Sequence, residues 1–178
     1  MNRGGALDLK SKIRSVPDFP KKGILFYDIT TLLLDPPAFE ETLSRMAAPF
    51  LCPQRVQKVI AVESRGFIFG ACVAQRLHAG FVPVRKSGKL PAACIEEGYR
   101  LEYGTGTLAL HRDAISPGER VLIVDDLIAT GGTLLATVNL IRRLGGDILG
   151  ISLVIELAGL KGRNLLKDIP LHAVLSYD

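Results

Sequence analysis

The chain has 178 residues, 48% of them hydrophobic, with 22 basic against 18 acidic side chains for a net charge of +4, which suits one domain with a real core. No segment approaches the ~18 consecutive apolar residues of a membrane span. The basic residues form no stripe interleaved with aromatics, which are only 6% of the chain, so neither a membrane nor a nucleic acid is the expected partner.

Residues 1–15 are polar and predict a short helix at best; Asp8, Lys10, Lys12 and Arg14 stand where a signal peptide needs an apolar core, which points to the cytoplasm. In residues 16–30, Pro17, Pro20 and Gly23 forbid a helix, and Ile24, Leu25 and Phe26 press together without periodicity. The segment reads as an irregular arm held by packing. Asp35 then caps a helix opened by Pro36 and Pro37, with Phe39, Leu43, Met46, Ala47 and Phe50 on its apolar face.

Residues 56–62 predict the first strand of a core sheet, ending in Glu63-Ser64-Arg65-Gly66. A helix over 67–78 follows, with Phe67, Ile68, Ala71, Val73 and Leu77 apolar. An Arg-Gly turn at a strand's carboxyl end brings N–H groups and a guanidinium to a ligand crevice. Residues 81–85 form a short strand in which Pro83 argues against a full ladder partner. Arg85, Lys86 and Lys89 cluster as they would around a small polyanion. Residues 86–107 are polar and carry Gly88, Gly98, Gly104 and Gly106; a loop so long inside a domain is functional or disordered. A flexible hairpin acting as a mobile lid fits its length and glycines.

Residues 121–133 organise the rest. Val121, Leu122, Ile123 and Val124 read as a strand buried on both faces. Asp125 and Asp126 follow, then the small-residue loop Ala129-Thr130-Gly131-Gly132-Thr133. A helix comes next, with Leu134, Leu135, Val138, Ile141 and Leu144 inward and Gly145-Gly146 as its stop. The loop can aim consecutive N–H groups at one anion, backed by the positive helix end. The two carboxylates can accept hydrogen bonds from vicinal hydroxyls or hold a hydrated Mg²⁺. Phosphate and diol together describe a ribose 5-phosphate, while the bland alternative is an ordinary βα turn with two solvated acids. No Walker or Rossmann spacing is present. Strands over 148–156 and 171–176, separated by a turn at 159–163 and a short helix at 164–167, complete an α/β fold. Its parallel sheet is flanked by helices, with the crevice at the strand ends. Cys52, Cys72 and Cys94 suit neither a disulfide framework nor a zinc site, and His78, His111 and His172 form no ligand pattern.

Residues 121–133 resemble the 5-phosphoribosyl 1-pyrophosphate (PRPP) signature of the type I phosphoribosyltransferases. Asp18-Phe19-Pro20, Ser64-Arg65-Gly66-Phe67, the run Arg85-Lys86 to Lys89-Leu90-Pro91, and Leu101-Glu102-Tyr103-Gly104 resemble further motifs of the same family. The first and last of these are similar to the adenine-specific members. The resemblance implies the type I phosphoribosyltransferase fold as one domain over 1–178, with an N-terminal hood (16–34) and a lid (86–107). It implies transfer of the 5-phosphoribosyl group from PRPP to N9 of adenine, giving AMP and pyrophosphate. Mg²⁺ would be held mainly through PRPP, pyrophosphate and water.

On this reading Leu25, Phe26 and Tyr27 read the purine, and Glu102 handles its proton beside Tyr103. Arg65, Arg85, Lys86 and Lys89 face the pyrophosphate, Asp125 and Asp126 the ribose, and Ala129, Thr130, Gly131, Gly132 and Thr133 the 5-phosphate. The resemblance also implies a homodimer with Arg85 and its lysines near the partner's active site. Two departures stand out: Tyr27 where relatives often carry Arg or Lys, and Gly98 where Ser is usual. A transferase for another purine and a non-catalytic PRPP sensor remain as alternatives.

Overall fold

The computed structural model describes residues 7–51, 55–101 and 104–178. It divides into two compact units at the Arg45/Met46 boundary.

In the first unit a 3₁₀ turn, Lys10–Lys12, leads into β1 (Arg14–Pro17), which pairs antiparallel with β2 (Leu25–Asp28). The segment read as irregular is therefore a small hairpin. Its connection is closed by polar bonds that no periodicity announces: Asp18, at φ 56°, accepts the Gly23 N–H at 2.6 Å, and Phe19 N–H reaches Ile24 O at 3.2 Å. Phe19 and Phe26 meet edge to face with centroids 5.2 Å apart. Asp28 is held at about 2, first by the Thr30 backbone N–H and then by Arg14, whose Nε donates to it at 3.0 Å. After α1 (Thr30–Leu33), Asp35 caps α2 (Pro36–Ala47) as expected, accepting the Ala38 N–H at 3.1 Å.

The second unit is built on a seven-stranded sheet whose core strands are β3 (Lys58–Val62), β4 (Gly80–Lys86), β7 (Arg120–Ile128), β8 (Asp147–Leu157) and β9 (Leu171–Tyr177). These run parallel in the order β4-β3-β7-β8-β9. Val121, Leu122, Ile123 and Val124 of β7 are buried on both faces, the reason the run carries no polar alternation. At roughly 1.5–3 kcal/mol for each such side chain, this strand anchors the core.

Between β3 and β4 runs α3 (Arg65–Arg76); α4 (Gly132–Arg143) joins β7 to β8. The buried face of α3 is Gly66, Phe69, Gly70, Val73 and Ala74; of the expected apolar set Val73 and Leu77 are buried, while Ile68 and Ala71 are exposed. Small residues there bring the helix close: a Cβ on Gly70 would lie 2.4 Å from Ala61 Cβ. The short helix foreseen at 164–167 is a 3₁₀ segment, Gly162–Leu166.

The sheet is mixed rather than purely parallel. Antiparallel β5 (Cys94–Leu101) and β6 (Gly104–His111) extend its edge, β6 pairing with β4 at Arg85 and Lys86 alone. Pro83 therefore has a ladder partner only on the β3 side, as its missing N–H requires. The lid segment is thus largely ladder-bonded hairpin. Its root is gripped by α4: Asn139 Nδ2 donates to Glu97 Oε1 at 2.9 Å and Arg143 Nη1 to Glu96 O at 2.7 Å. A Cβ at Gly98 would meet nothing nearer than Gly106 O at 4.0 Å, so the absent Ser leaves open space. Glu102, Tyr103 and Cys52 lie outside the described residues.

Candidate active site

The carboxyl ends of β3 and β7 and the first turns of α3 and α4 enclose a cleft of about 330 Å³. Into it come Arg65, Lys86, Asp125, Asp126, Ala129, Thr130, Gly131, Gly132 and Thr133, all singled out from sequence. Arg85 and Lys89 do not line it: Arg85 Nε donates to Glu63 Oε2 at 2.8 Å and its Nη1 to Lys89 O at 3.0 Å. Leu25, Phe26 and Tyr27 belong to the N-terminal unit, where Leu25 is exposed.

Asp125 and Asp126 are only 8% and 6% exposed. Burial, and after it the neighbouring Asp126 charge, pushes the Asp125 carboxyl well above its ordinary range. Burial also raises Asp126, although Arg65 pulls it back, its Nε donating to Asp126 Oδ2 at 2.8 Å. Asp125 Oδ1 accepts the Asp126 N–H at 2.9 Å, which fixes its orientation. Gly66 makes room for this carboxylate, since a Cβ there would sit 2.6 Å from Asp125 Oδ1. Two acids so held can bind hydroxyls or a hydrated cation, either of which favours their ionised forms.

The loop after β7 turns at Gly131, whose φ of 85° suits glycine, and α4 begins with no side-chain cap on its N–H groups. Such an end is a ready anion site. The loop rests on a second backbone that sequence reading missed. A Cβ on Gly162 would lie 2.2 Å from Ala129 O and 2.8 Å from Gly131 N; one on Gly131 would lie 2.6 Å from Gly162 O. Two other lining residues were missed as well. Glu63 accepts from Arg85 and, at 3.3 Å, from the Lys86 N–H, while Tyr99 reaches the cleft from β5. A glycine directly after Lys161 and a tyrosine two residues before the Leu101-Glu102-Tyr103-Gly104 run were the available signals.

A parallel core thus presents, at one crevice, an uncapped helix end after its central strand, an acid pair before it and an arginine facing that pair, groups suited to an anion and a diol. The Phosphoribosyl transferase domain family matches residues 37–168. The adenine phosphoribosyltransferase of Acidobacterium capsulatum is 53% identical over 169 residues, covering 95% of this chain and 93% of its own. The solved adenine phosphoribosyltransferase of Rhodothermus marinus superposes with a TM-score of 0.89 at 52% identity, over 95% of this chain and 96% of that one. The Saccharomyces cerevisiae enzyme, crystallised with adenine and an imino-altritol bisphosphate, gives a TM-score of 0.89 at 38% identity, over 94% and 97%. The chain belongs to the adenine phosphoribosyltransferase family.

Proposed function

We propose that the protein transfers the 5-phosphoribosyl group of PRPP to N9 of adenine, releasing pyrophosphate and AMP in purine salvage. The observation that carries the reading is the joining, in one cleft, of the Thr130–Thr133 cradle with the buried Asp125 and Asp126 pair. In the reaction the C1–O bond to pyrophosphate breaks with its electron pair leaving on the pyrophosphate, and the N9–C1 bond forms. Positive charge builds on the ribose as in other oxocarbenium-like displacements. Asp125 and Asp126 hold the ribose hydroxyls; Arg65 and Lys86 face the departing anion. Glu102, within the lid segment 86–107, takes the N9 proton. Closing of the lid keeps water from the cation.

Among the described residues no three or more His, Cys, Asp or Glu side chains form a metal cage. An acid pair without a cage fits Mg²⁺ that arrives on phosphate oxygens and keeps its waters, Asp125 and Asp126 being the residues to meet it. When bound, Mg²⁺ supplies charge neutralisation at the pyrophosphate.

The base-reading role stays with Leu25, Phe26 and Tyr27 of the hood. We assign a homodimer in which Arg85 and Lys89 serve the partner's active site, a role supported by their lying outside their own cleft. Our reading puts the protein in the cytoplasm. Separately, among the described residues no helix is long and apolar enough to cross a membrane.

The test is pyrophosphate release from PRPP and Mg²⁺ with adenine, hypoxanthine, guanine and xanthine in turn. Turnover with adenine alone is expected. Turnover with another base would move the specificity to Tyr27, and none with any base would favour a PRPP sensor. Replacing Asp125 and Asp126 together by Asn is expected to weaken PRPP binding by about tenfold or more, the loss of one hydrogen bond to a charged group. Unchanged calorimetric affinity would contradict the diol assignment.

A further inference from the structure

Glu63 lines the cleft, yet the mechanism above gives it nothing to do. It directly follows β3, where the ladder between β3 and β4 ends with Val62 opposite Val84. Its own bonds carry that ladder onward to three consecutive residues of β4. The Glu63 N–H donates to Val84 O at 2.9 Å, and Glu63 Oε2 accepts from Arg85 Nε at 2.8 Å and from the Lys86 N–H at 3.3 Å. A side chain thus stands in for the next strand acceptor, serving an N–H that the ladder no longer reaches. The turn beyond is closed from the same point. Arg85 Nη1 donates to Lys89 O at 3.0 Å, and the Lys89 N–H donates to Lys86 O at 3.2 Å. The Glu63 side chain is only 15% exposed, so its pair with Arg85 is screened less than a surface salt bridge.

We propose that Glu63 is a positioning residue for the cationic turn 85–89, its carboxylate pinning Arg85 and the Lys86 backbone so that the Lys86 side chain is presented to the pyrophosphate. Lys86 lines the cleft, whereas Arg85 does not. A lysine carries its charge on a flexible stem, and fixing the backbone beneath it lowers the cost of aiming that charge. The anchor is an acid beside an anion site, so charge and position act in opposite directions. As a bare negative charge Glu63 repels pyrophosphate; as an anchor, neutralised by Arg85, it supports pyrophosphate binding. The sign of the effect of its removal therefore separates the two roles. The inference rests on the phosphoribosyltransferase reading, since Lys86 is assigned to the pyrophosphate there.

Glu63→Gln keeps the size of the side chain and removes its charge. By calorimetry with Mg²⁺ it is expected to weaken pyrophosphate roughly five- to tenfold, the scale of one hydrogen bond, while ribose 5-phosphate stays within about twofold. In the reverse reaction KM for pyrophosphate rises by the same factor and KM for AMP does not. In a Lys86→Ala background the substitution changes pyrophosphate affinity by less than about twofold, because the group it positions is already gone. Retained ribose 5-phosphate binding shows that the cleft is folded. Tighter or unchanged pyrophosphate binding, equal losses for ribose 5-phosphate, or additive losses in the double variant would each overturn the proposal. If the unmodified protein binds pyrophosphate but turns over no base, the enzymatic reading fails while the Glu63 comparison still stands on its own; if it binds no pyrophosphate, both fail.

Discussion

Gly162→Ala is expected to weaken PRPP binding by roughly ten- to a hundredfold, the scale of a misplacement of about 1 Å in a binding constellation. The added methyl would lie 2.2 Å from Ala129 O, 2.8 Å from Gly131 N and 2.9 Å from Thr130 C. All three are backbone atoms of the cradle, so no side chain can swing aside. The cradle itself must move, at a stability cost of about 1–3 kcal/mol for overpacking. Gly159→Ala serves as the control, because its Cβ would meet only Asp178 C at an ordinary 3.4 Å. Calorimetric titration with PRPP alongside thermal melting separates lost affinity from lost fold. Near-normal affinity for Gly162→Ala would show that the cradle does not depend on its position against the 3₁₀ segment.

Glu102→Gln is expected to lower kcat by roughly 10²–10⁴ while leaving PRPP affinity nearly intact, as removal of a general base does. Glutamine keeps size and polarity but cannot take the N9 proton. Steady-state kinetics with PRPP and adenine, paired with direct PRPP binding, tests both halves of the statement. A near-normal rate would remove Glu102 from proton transfer and leave deprotonation of adenine to solvent.

The parts of the fold that could be read from the residues alone are those where burial leaves a one-dimensional mark. β3, β7 and β8 are runs of branched side chains, and α4 repeats its apolar residues at helical spacing before Gly145 and Gly146. Asp35 before two prolines announced the start of α2, and the bond from the Ala38 N–H bears it out. The hood hairpin escaped because its closure depends on the Asp18 carboxylate reaching Gly23, a contact that leaves no period. The antiparallel edge was legible only in part: a hairpin was expected, but not its place on the sheet. Its buried anchors Ile95, Leu108 and Leu110 are separated by a polar, glycine-rich stretch, so the length of the ladder and its joining to β4 show only in the pairing.

The site divides along the same line. Asp125, Asp126 and the Thr130–Thr133 loop are contiguous in sequence, so their chemistry could be assembled from spacing. Glu63 and Tyr99 reach the cleft from outside that run, and Gly162 backs the loop from the 3₁₀ segment. Gly162 in particular looks like a turn glycine in sequence, and only the approach of two backbones explains why nothing larger fits.

The grip of α4 on the hairpin gives that helix a second duty as a spacer. Its amino end opens onto the cradle, while Asn139 and Arg143, on later turns, clamp Glu97 and the Glu96 carbonyl of β5. At 1.5 Å of rise per residue, about 16 Å of rigid rod separates Gly132 from Arg143. A single residue deleted from its middle would swing the clamp by about 100° around the axis and leave the hairpin without its mooring. The length of α4 therefore sets the gauge between cradle and hairpin, and it tolerates substitution far better than any change in count.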